Sequence, residues 1–108
     1  MVNQLRHSDA IAPIIQFSGT VQSKQVATSA RQVTKLKLVS LGGAAHVSVY
    51  DTANGDTNPI NLKWVLDSSM IWSDTDDFVN PLDFKRGIYL TCDDGSLFKP
   101  QVCVAYIP

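Results

Sequence analysis

The chain has 108 residues, the length of one domain, and its ten acids, all aspartate, nearly balance nine lysines and arginines to give a net charge of −1. This charge argues against non-specific nucleic-acid binding, which needs a basic surface. Because glutamate is absent and valine, threonine and serine are plentiful, the composition favours β-strands joined by many turns.

The N-terminal region is polar. Residues 1–13 end in Ala12-Pro13 and predict an arm that precedes a β-sandwich domain over residues 14–108. No apolar run in this region is long enough for a signal peptide, and no stretch approaches the roughly 20 apolar residues needed to cross a bilayer. We therefore expect synthesis in a cytoplasm, where Cys92 and Cys103 stay reduced, and no membrane partner.

The next two segments carry weaker signals. Residues 14–17 form a short apolar run, and residues 18–32 are rich in serine, threonine and glutamine. The second segment is compatible with a weak strand, an ordered loop or, over residues 25–32, a helix.

A β-hairpin is predicted over residues 35–51, with Gly42-Gly43 at its turn. Two apolar pairs then face each other on one side of the ribbon: Leu36 with Val49, and Leu38 with Val47. Lysines, Ser48, Tyr50 and His46 lie on the other side. One register thus separates apolar from polar residues on both strands, as expected for a sheet with one buried face.

Further strands follow a loop at residues 50–59. The predicted strand over residues 60–66 has four apolar residues on one face, which would place the Trp64 side chain in the core: Ile60, Leu62, Trp64 and Leu66. Residues 67–83 form a long acidic segment that contains Trp72. A run of that length is either functional or packed by its own apolar residues.

The chain ends in two predicted strands, residues 88–92 and 101–107, joined by a turn at residues 93–96. Pairing Ile88 with Ile107 would place the two cysteines opposite each other, so a disulfide is one option, and two buried, small apolar side chains are the favoured one. The chain therefore shows six to eight short strands with frequent turns. This pattern predicts an all-β fold: an antiparallel β-sandwich, jelly-roll-like, as a single domain with an N-terminal arm.

No residue pattern predicts catalysis or a cofactor. His7 and His46 lack converging partners, and two cysteines are too few for a structural zinc site. Asp74-Thr-Asp-Asp77 and the loop over residues 51–56 lack the ligand spacing of a calcium loop, so solvated aspartates that cap turns are favoured. A small hydrolase with paired aspartates is the least favoured hypothesis.

Surface apolar residues point to protein partners. Under the register above, Tyr89 and Tyr106 share a face with Val102 and Val104, so both faces of the last hairpin are apolar and a second subunit is expected to cover one of them. Trp72 lies in an acidic loop, and an interface role and a core role are about equally favoured for it. The candidate interface residues are Ile14, Ile15, Phe17, Trp72, Tyr89, Val104 and Tyr106.

Three motifs carry a resemblance: K-L-K-L-V-S-L-G-G-A-A-H-V-S-V-Y-D-T (residues 35–52), F-K-R-G-I-Y-L-T (84–91) and V-C-V-A-Y (102–106). Over residues 33–107 the chain resembles small β-sandwich virion proteins of tailed bacteriophages. Those proteins combine a V-x-V-Y-D hairpin, an F-x-x-G-(L/I)-Y-V segment and a closing V-x-V-x-Y strand. They include capsid decoration (cement) proteins and fibre or tail accessory proteins.

The resemblance implies a non-enzymatic structural protein of the virion that is made in the host cytoplasm. The expected partners are the major capsid protein and copies of the chain itself. Deleting residues 1–12 is expected to weaken particle binding without unfolding the sandwich. The alternative is a carbohydrate- or receptor-binding module of a phage fibre or tail, which predicts an exposed aromatic platform that includes Trp72.

Overall fold

The computed structural model describes residues 11–18, 22–40, 45–67, 73–92 and 100–107, and these contain eight strands. In chain order they are β1 (Ile14–Gln16), β2 (Ser23–Ala27), β3 (Arg31–Val39), β4 (His46–Tyr50), β5 (Leu62–Asp67), β6 (Ser73–Phe84), β7 (Ile88–Cys92) and β8 (Gln101–Ile107). A 3₁₀ turn, Pro59–Asn61, precedes β5. Residues 18–32 therefore contain a strand rather than a helix, and most of the acidic segment over residues 67–83 is the long strand β6.

The strands form two four-stranded sheets. Sheet A has the order β1-β8-β3-β6, sheet B has the order β2-β7-β4-β5, and every pairing is antiparallel. The partners are nested along the chain, because β1 pairs with β8, β2 with β7, β3 with β6 and β4 with β5. This winding is that of a jelly roll, so the predicted all-β, jelly-roll-like sandwich is confirmed.

The predicted hairpin over residues 35–51 is wrong in its pairing, since β3 and β4 lie in different sheets. Strand β3 pairs with β6 and β8, and β4 pairs with β5 and β7. The predicted faces are nevertheless right, because Leu36, Leu38, Val47 and Val49 are all fully buried. Alternation along a strand fixes which side chains point inward, but these residues enter the core from two opposing sheets and do not lie along one ribbon. The Gly42-Gly43 turn lies outside the described residues.

The last predicted hairpin is wrong for the same reason. Strand β7 belongs to sheet B and β8 to sheet A. Cys92 therefore lies opposite Val47, whereas Cys103 lies between Ile14 and Lys37. Both cysteines are free thiols, Cys92 buried and Cys103 half-buried. The favoured interpretation of two buried, unbonded cysteines is thus confirmed for Cys92 and only in part for half-buried Cys103. The inference that both faces of one final hairpin are apolar fails together with the hairpin.

The core lies between the sheets and is filled by the inward side chains of both. Its largest fully buried members are Phe17, Phe84, Leu36, Leu38, Leu66, Ile88 and Leu90, with five valines between them. Phe17 follows the short strand β1, so the N-terminal part of the described chain contributes to the core. Trp64 packs against this core as predicted, but Ile60 and Leu62 do not. Ile60 belongs to the exposed 3₁₀ turn, and Leu62 is exposed at the start of β5.

The N-terminal segment is joined to the sandwich over its whole described length. Ile11 and Tyr106 exchange two backbone hydrogen bonds of 2.8 Å, and the carbonyl of Pro13 accepts from the N–H of Val104 at 3.2 Å. The N–H of Phe17 donates to the carbonyl of Pro100. Residues 11–13, which the sequence analysis assigned to the arm, therefore lie alongside β8 and bond to it. Residues 1–10 of that arm lie outside the described residues.

One open side of the sandwich is closed by contacts between the edge strands β5 and β6. The rings of Trp64 and Phe78 meet edge to face, with centroids 4.9 Å apart. The indole N–H of Trp64 donates to the carboxylate of Asp76 at 2.9 Å, and the N–H of Asp67 donates to the carboxylate of Asp74 at 3.0 Å. Since β5 and β6 are neighbours here, the remaining two edge strands, β1 and β2, lie on the opposite side.

Candidate interaction surface

Shallow concavities follow the outer face of sheet A above β8. One of about 280 Å³ is lined by Ile14, Lys37, Val39, Gln101 and Cys103. A neighbouring concavity of about 470 Å³ shares Cys103 and is lined further by Ala12, Thr34, Lys35, Asp77 and Ala105. Both concavities form above β8 because its central outward-facing side chains, Cys103 and Ala105, are small. We name the first concavity the Ile14 pocket.

A third concavity, of about 400 Å³, lies where β3, β6 and β8 meet, and it is lined by Ala30, Arg31, Gln32, Asp83, Phe84, Lys85 and Ile107. The Arg31 guanidinium lies over the Tyr106 ring, 5.7 Å from its centroid, and donates to the carbonyl of Ala30. None of these three concavities contains a histidine, and within the described ranges no three histidine, cysteine or aspartate side chains converge as metal ligands.

His46 lies on the outer face of sheet B, as the sequence predicted. Its side chain is about half exposed, and its Nδ1 lies 3.5 Å from a carboxylate oxygen of Asp67 on the adjacent strand. This is a solvated cross-strand pair, in a sheet that carries none of the concavities described above. His7 lies outside the described residues.

The aspartates of β6 do not converge on a common point. Asp77 points to the outer face and pairs with Lys35 at 3.4 Å, whereas Asp76 accepts from Trp64 at the open side of the sandwich. Asp74 accepts the backbone N–H of Asp67. Neighbouring residues of a strand point to opposite faces, so Asp76 and Asp77 cannot ligate one ion.

The loop after β4 uses its side-chain oxygens within the loop. The Thr52 hydroxyl donates to Asn54 at 2.8 Å and accepts the N–H of Asp56, and Asp56 accepts the N–H of Asn58. Asn58 in turn caps the 3₁₀ turn by accepting the N–H of Ile60 at 3.1 Å. Such short bonds from side chain to backbone are what aspartate, asparagine and threonine provide in turns, as the sequence predicted.

Asp51 is the most strongly bound carboxylate of the described chain. It lies directly after β4, is buried, and accepts three backbone N–H groups from the turn between β6 and β7: Lys85 at 3.0 Å, Arg86 at 2.8 Å and Gly87 at 3.3 Å. Arg86 also donates to the buried side chain of Asn61. We call Asp51 and the Lys85–Gly87 turn the Asp51 latch.

The latch changes the acidity of Asp51. Burial is the largest effect and raises the pKa of this carboxyl, but the three backbone donors and the charge of Arg86 together outweigh it. The pKa of Asp51 is therefore lowered from its ordinary value of 3.8, and the group is ionised at neutral pH.

Gly87 is required by the close approach of two other chain segments to the latch. A β-carbon at this position would lie 2.5 Å from the carbonyl oxygen of Ala27 and 2.6 Å from that of Thr52. Gln25 reinforces the same junction by donating to the carbonyls of Thr52 at 2.7 Å and Ala27 at 2.8 Å. The Y-D-T sequence after β4 and the F-K-R-G sequence at the β6–β7 turn thus contact each other in one structural junction.

Exposed apolar residues concentrate at the two edges of the sandwich. On the side of β5 and β6, Val79 is 90% exposed and Ile60 86% exposed, with Leu62 and Val65 close to half exposed. On the side of β1, Ile14 is 67% exposed and Ile11 45% exposed. These six are all of the exposed large apolar side chains in the described part of the chain, so neither sheet face carries one in its middle.

The structure divides the seven candidate interface residues. Ile14 is exposed and borders a concavity, and Tyr89 is half-buried on the outer face of sheet B, in register with Tyr50. Four candidates belong to the core of the single chain and are not surface residues: Ile15, Phe17, Val104 and Tyr106. These side chains point into the space between the two sheets, three from β1 and β8 and Phe17 from the segment after β1, and the sequence did not indicate this arrangement. Trp72 lies outside the described residues.

Sequence reasoning missed Val79 and Ile60 as exposed residues and Asp51 as a buried one. Val79 lies in a bulge, since four residues of β6, 78–81, stand between its pairings at Asp77 and Leu82, opposite one residue of β3. Pro81 is a usable signal for such an irregularity, because proline cannot donate to a strand ladder. No local signal ties Asp51 to a turn 34 residues further along.

No family model matches the chain, and no curated protein matches it in sequence. Across the parts of the chain that the structure describes, there is no helix with the length and apolar character of a membrane span.

Proposed function

We propose that the chain is a structural protein of a virion, of the capsid decoration type, which binds the assembled shell through protein–protein contacts. The observation that carries the proposal is the jelly-roll winding combined with exposed apolar residues at both edges of the sandwich. Jelly rolls of this kind occur in viral capsid proteins and in lectins. Apolar surface that a single chain leaves exposed is typical of protein interaction sites.

The size of the molecule fits this role. The described surface is 6316 Å², and a standard protein interface takes about 800 Å² from each partner, so one contact would use about an eighth of it.

The mechanism is thermodynamic linkage. Each copy that binds the assembled shell, and not its free subunits, stabilises the shell by an amount that grows with the concentration of the free chain. At a free concentration about 100 times the dissociation constant, one site contributes about 2.7 kcal/mol. Summed over many sites, such contributions would raise the temperature and internal pressure at which a shell opens.

The direct test is binding to shells. Capsids that lack the chain are incubated with purified protein, and bound copies are counted after sedimentation, while the thermal opening of the shells is followed by dye release. We expect saturable binding and a higher opening temperature. Absence of the chain from purified virions by mass spectrometry, together with no binding to shells, would refute the proposal.

The role of the arm is tested by deleting residues 1–10. This deletion keeps Ile11, whose two backbone hydrogen bonds to Tyr106 hold the edge of sheet A, so the sandwich is expected to melt at an unchanged temperature. Binding to shells is expected to weaken. Full occupancy of shells by the shortened chain, in competition with the intact chain, would exclude the arm from the contact.

One observation favours the alternative of a carbohydrate- or receptor-binding module. Tyr50 and Tyr89 are neighbours on the outer face of sheet B, and the next pair on that face is Ser48 with Thr91. Aromatic rings beside hydroxyl groups can stack on and hydrogen-bond a sugar. A glycan array with the wild type, Tyr50→Ala and Trp72→Ala tests this function, and a wild type that binds no glycan would exclude sugars as the ligand.

A further inference from the structure

The two apolar edges differ in charge. The described residues at the β5 and β6 edge, 59–67 and 73–84, contain one lysine and five aspartates, a net of four negative charges, and one of these aspartates, Asp77, is paired with Lys35 of β3. The described residues at the β1 and β2 edge, 11–18 and 22–30, contain Lys24 as their single charged residue. We call these the acidic edge and the Ile14 edge.

The charge difference decides how two copies can meet. Two acidic edges placed against each other would bring like charges together, which costs several kcal/mol in an interface. An acidic edge placed against an Ile14 edge meets no such repulsion and gains the attraction of Lys24. Lys37 adds to it, because it is exposed beside the Ile14 pocket and forms no ion pair among the described residues.

The acidic edge also has a shape that complements the outer face of sheet A beside the Ile14 edge, where the Ile14 pocket lies. Val79 protrudes from the bulge of β6 and is 90% exposed. The Ile14 pocket, of about 280 Å³, offers an apolar wall of Ile14, Val39 and Cys103. A cavity of about 150 Å³ already holds benzene, so this pocket has room for an aliphatic side chain.

We propose that copies of this chain associate head to tail, with Val79 of one copy seated in the Ile14 pocket of the next. A protruding apolar residue and a complementary pocket elsewhere on the same molecule produce such a heterologous contact, which repeats until the rotation between copies closes a ring. The inference rests on the proposed function in one respect, since it names the surface by which the decoration protein would contact copies of itself.

The test uses two variants whose exposed positions spare the fold. Val79→Asp destroys the knob and Ile14→Asp destroys the pocket, and Ser48→Asp is the control, with the same added charge at the centre of sheet B. Self-association in the absence of shells is measured by sedimentation equilibrium. We expect an oligomer for the wild type and the control, and an association weakened by at least about 30-fold for each of the two edge variants, the loss of a typical interface hot spot.

The mixture of the two edge variants is the decisive sample. Val79→Asp retains an intact pocket and Ile14→Asp retains an intact knob, so together they can form one contact and no more. We expect a one-to-one heterodimer at concentrations where each variant alone is monomeric. An oligomeric Ile14→Asp, or a mixture that stays monomeric, would overturn the head-to-tail contact.

The outcome is separable from that of the proposed function. A wild-type chain that stays monomeric at high concentration but binds shells overturns this inference and leaves the decoration role intact. A wild-type chain that forms the expected oligomer but does not bind shells supports this inference and refutes the decoration role.

Discussion

Replacing Asp51 tests the structural junction between the loop after β4 and the turn between β6 and β7. In Asp51→Asn the second carboxylate oxygen becomes an NH₂ group, which cannot accept from the backbone of the Lys85–Gly87 turn. One of three hydrogen bonds to a charged group is lost, and such bonds contribute about 1.5–3 kcal/mol each. Because Lys85 and Arg86 are exposed, water can satisfy part of the loss, so we expect about 1–3 kcal/mol of destabilisation at neutral pH.

The pH dependence distinguishes this mechanism from a simple packing defect. The pKa of Asp51 in the folded chain is lowered below its ordinary value of 3.8, which the unfolded chain retains. The stability contributed by ionised Asp51 is therefore fully present above the unfolded pKa and is lost as the pH falls through the folded pKa. The wild type and Asp51→Asn should differ most at neutral pH and converge in strong acid.

The assay is urea denaturation followed by tryptophan fluorescence at about pH 7 and at about pH 3 or below, with the free energy of unfolding extrapolated to water. Asp83→Asn serves as the control, since Asp83 is exposed and accepts one long bond from Gln32. A difference between the wild type and Asp51→Asn that stays constant over this pH range would refute the role assigned to the ionised latch.

Three further predictions concern the fold. Leu38→Ala should lower the free energy of unfolding by about 2–5 kcal/mol, against a change within about 0.5 kcal/mol for the exposed neighbour Lys37→Ala, both by urea denaturation. Gly87→Ala should prevent folding or destabilise the protein by about 4 kcal/mol or more, because two backbone oxygens lie within 2.6 Å of the new β-carbon. Gly55→Ala should destabilise it by about 1–3 kcal/mol, because the φ of this residue is +74°. Thermal melts followed by circular dichroism compare the two variants. A thiol reagent should label half-buried Cys103 before buried Cys92, and equal rates in the native protein would contradict the burial seen here.

The local part of the fold was predictable because strand alternation is a local property. Leu36, Leu38, Val47 and Val49 are buried as their spacing indicates, whichever strand they pair with. The pairing itself was not predictable in this way. A two-residue turn favours a hairpin between β3 and β4, but the winding places these strands in different sheets, and β3 pairs with β8 about 70 residues later.

The candidate surface was less accessible to sequence reasoning for a related reason. Ile60 and Val79 are apolar residues in strand-like sequence, and only the 3₁₀ turn and the β6 bulge turn them outward. The sequence pattern places Tyr106 and Val104 at an interface because it predicts a final hairpin with two apolar faces, whereas β8 pairs with β1 and β3 in sheet A and both side chains point into the core. An error in pairing therefore becomes an error about which side chains reach the surface.

The nested winding also makes the described chain almost a closed loop. Ile11 and Tyr106 exchange two backbone hydrogen bonds at the edge of sheet A, and residues paired in this way have α-carbons about 5.5 Å apart. A short linker between them would therefore give a circular permutant with new termini in the loop at residues 53–57, and its melting temperature should stay close to that of the parent. A passenger peptide joined directly before Ile11 or after Tyr106 would leave the sandwich from the same corner.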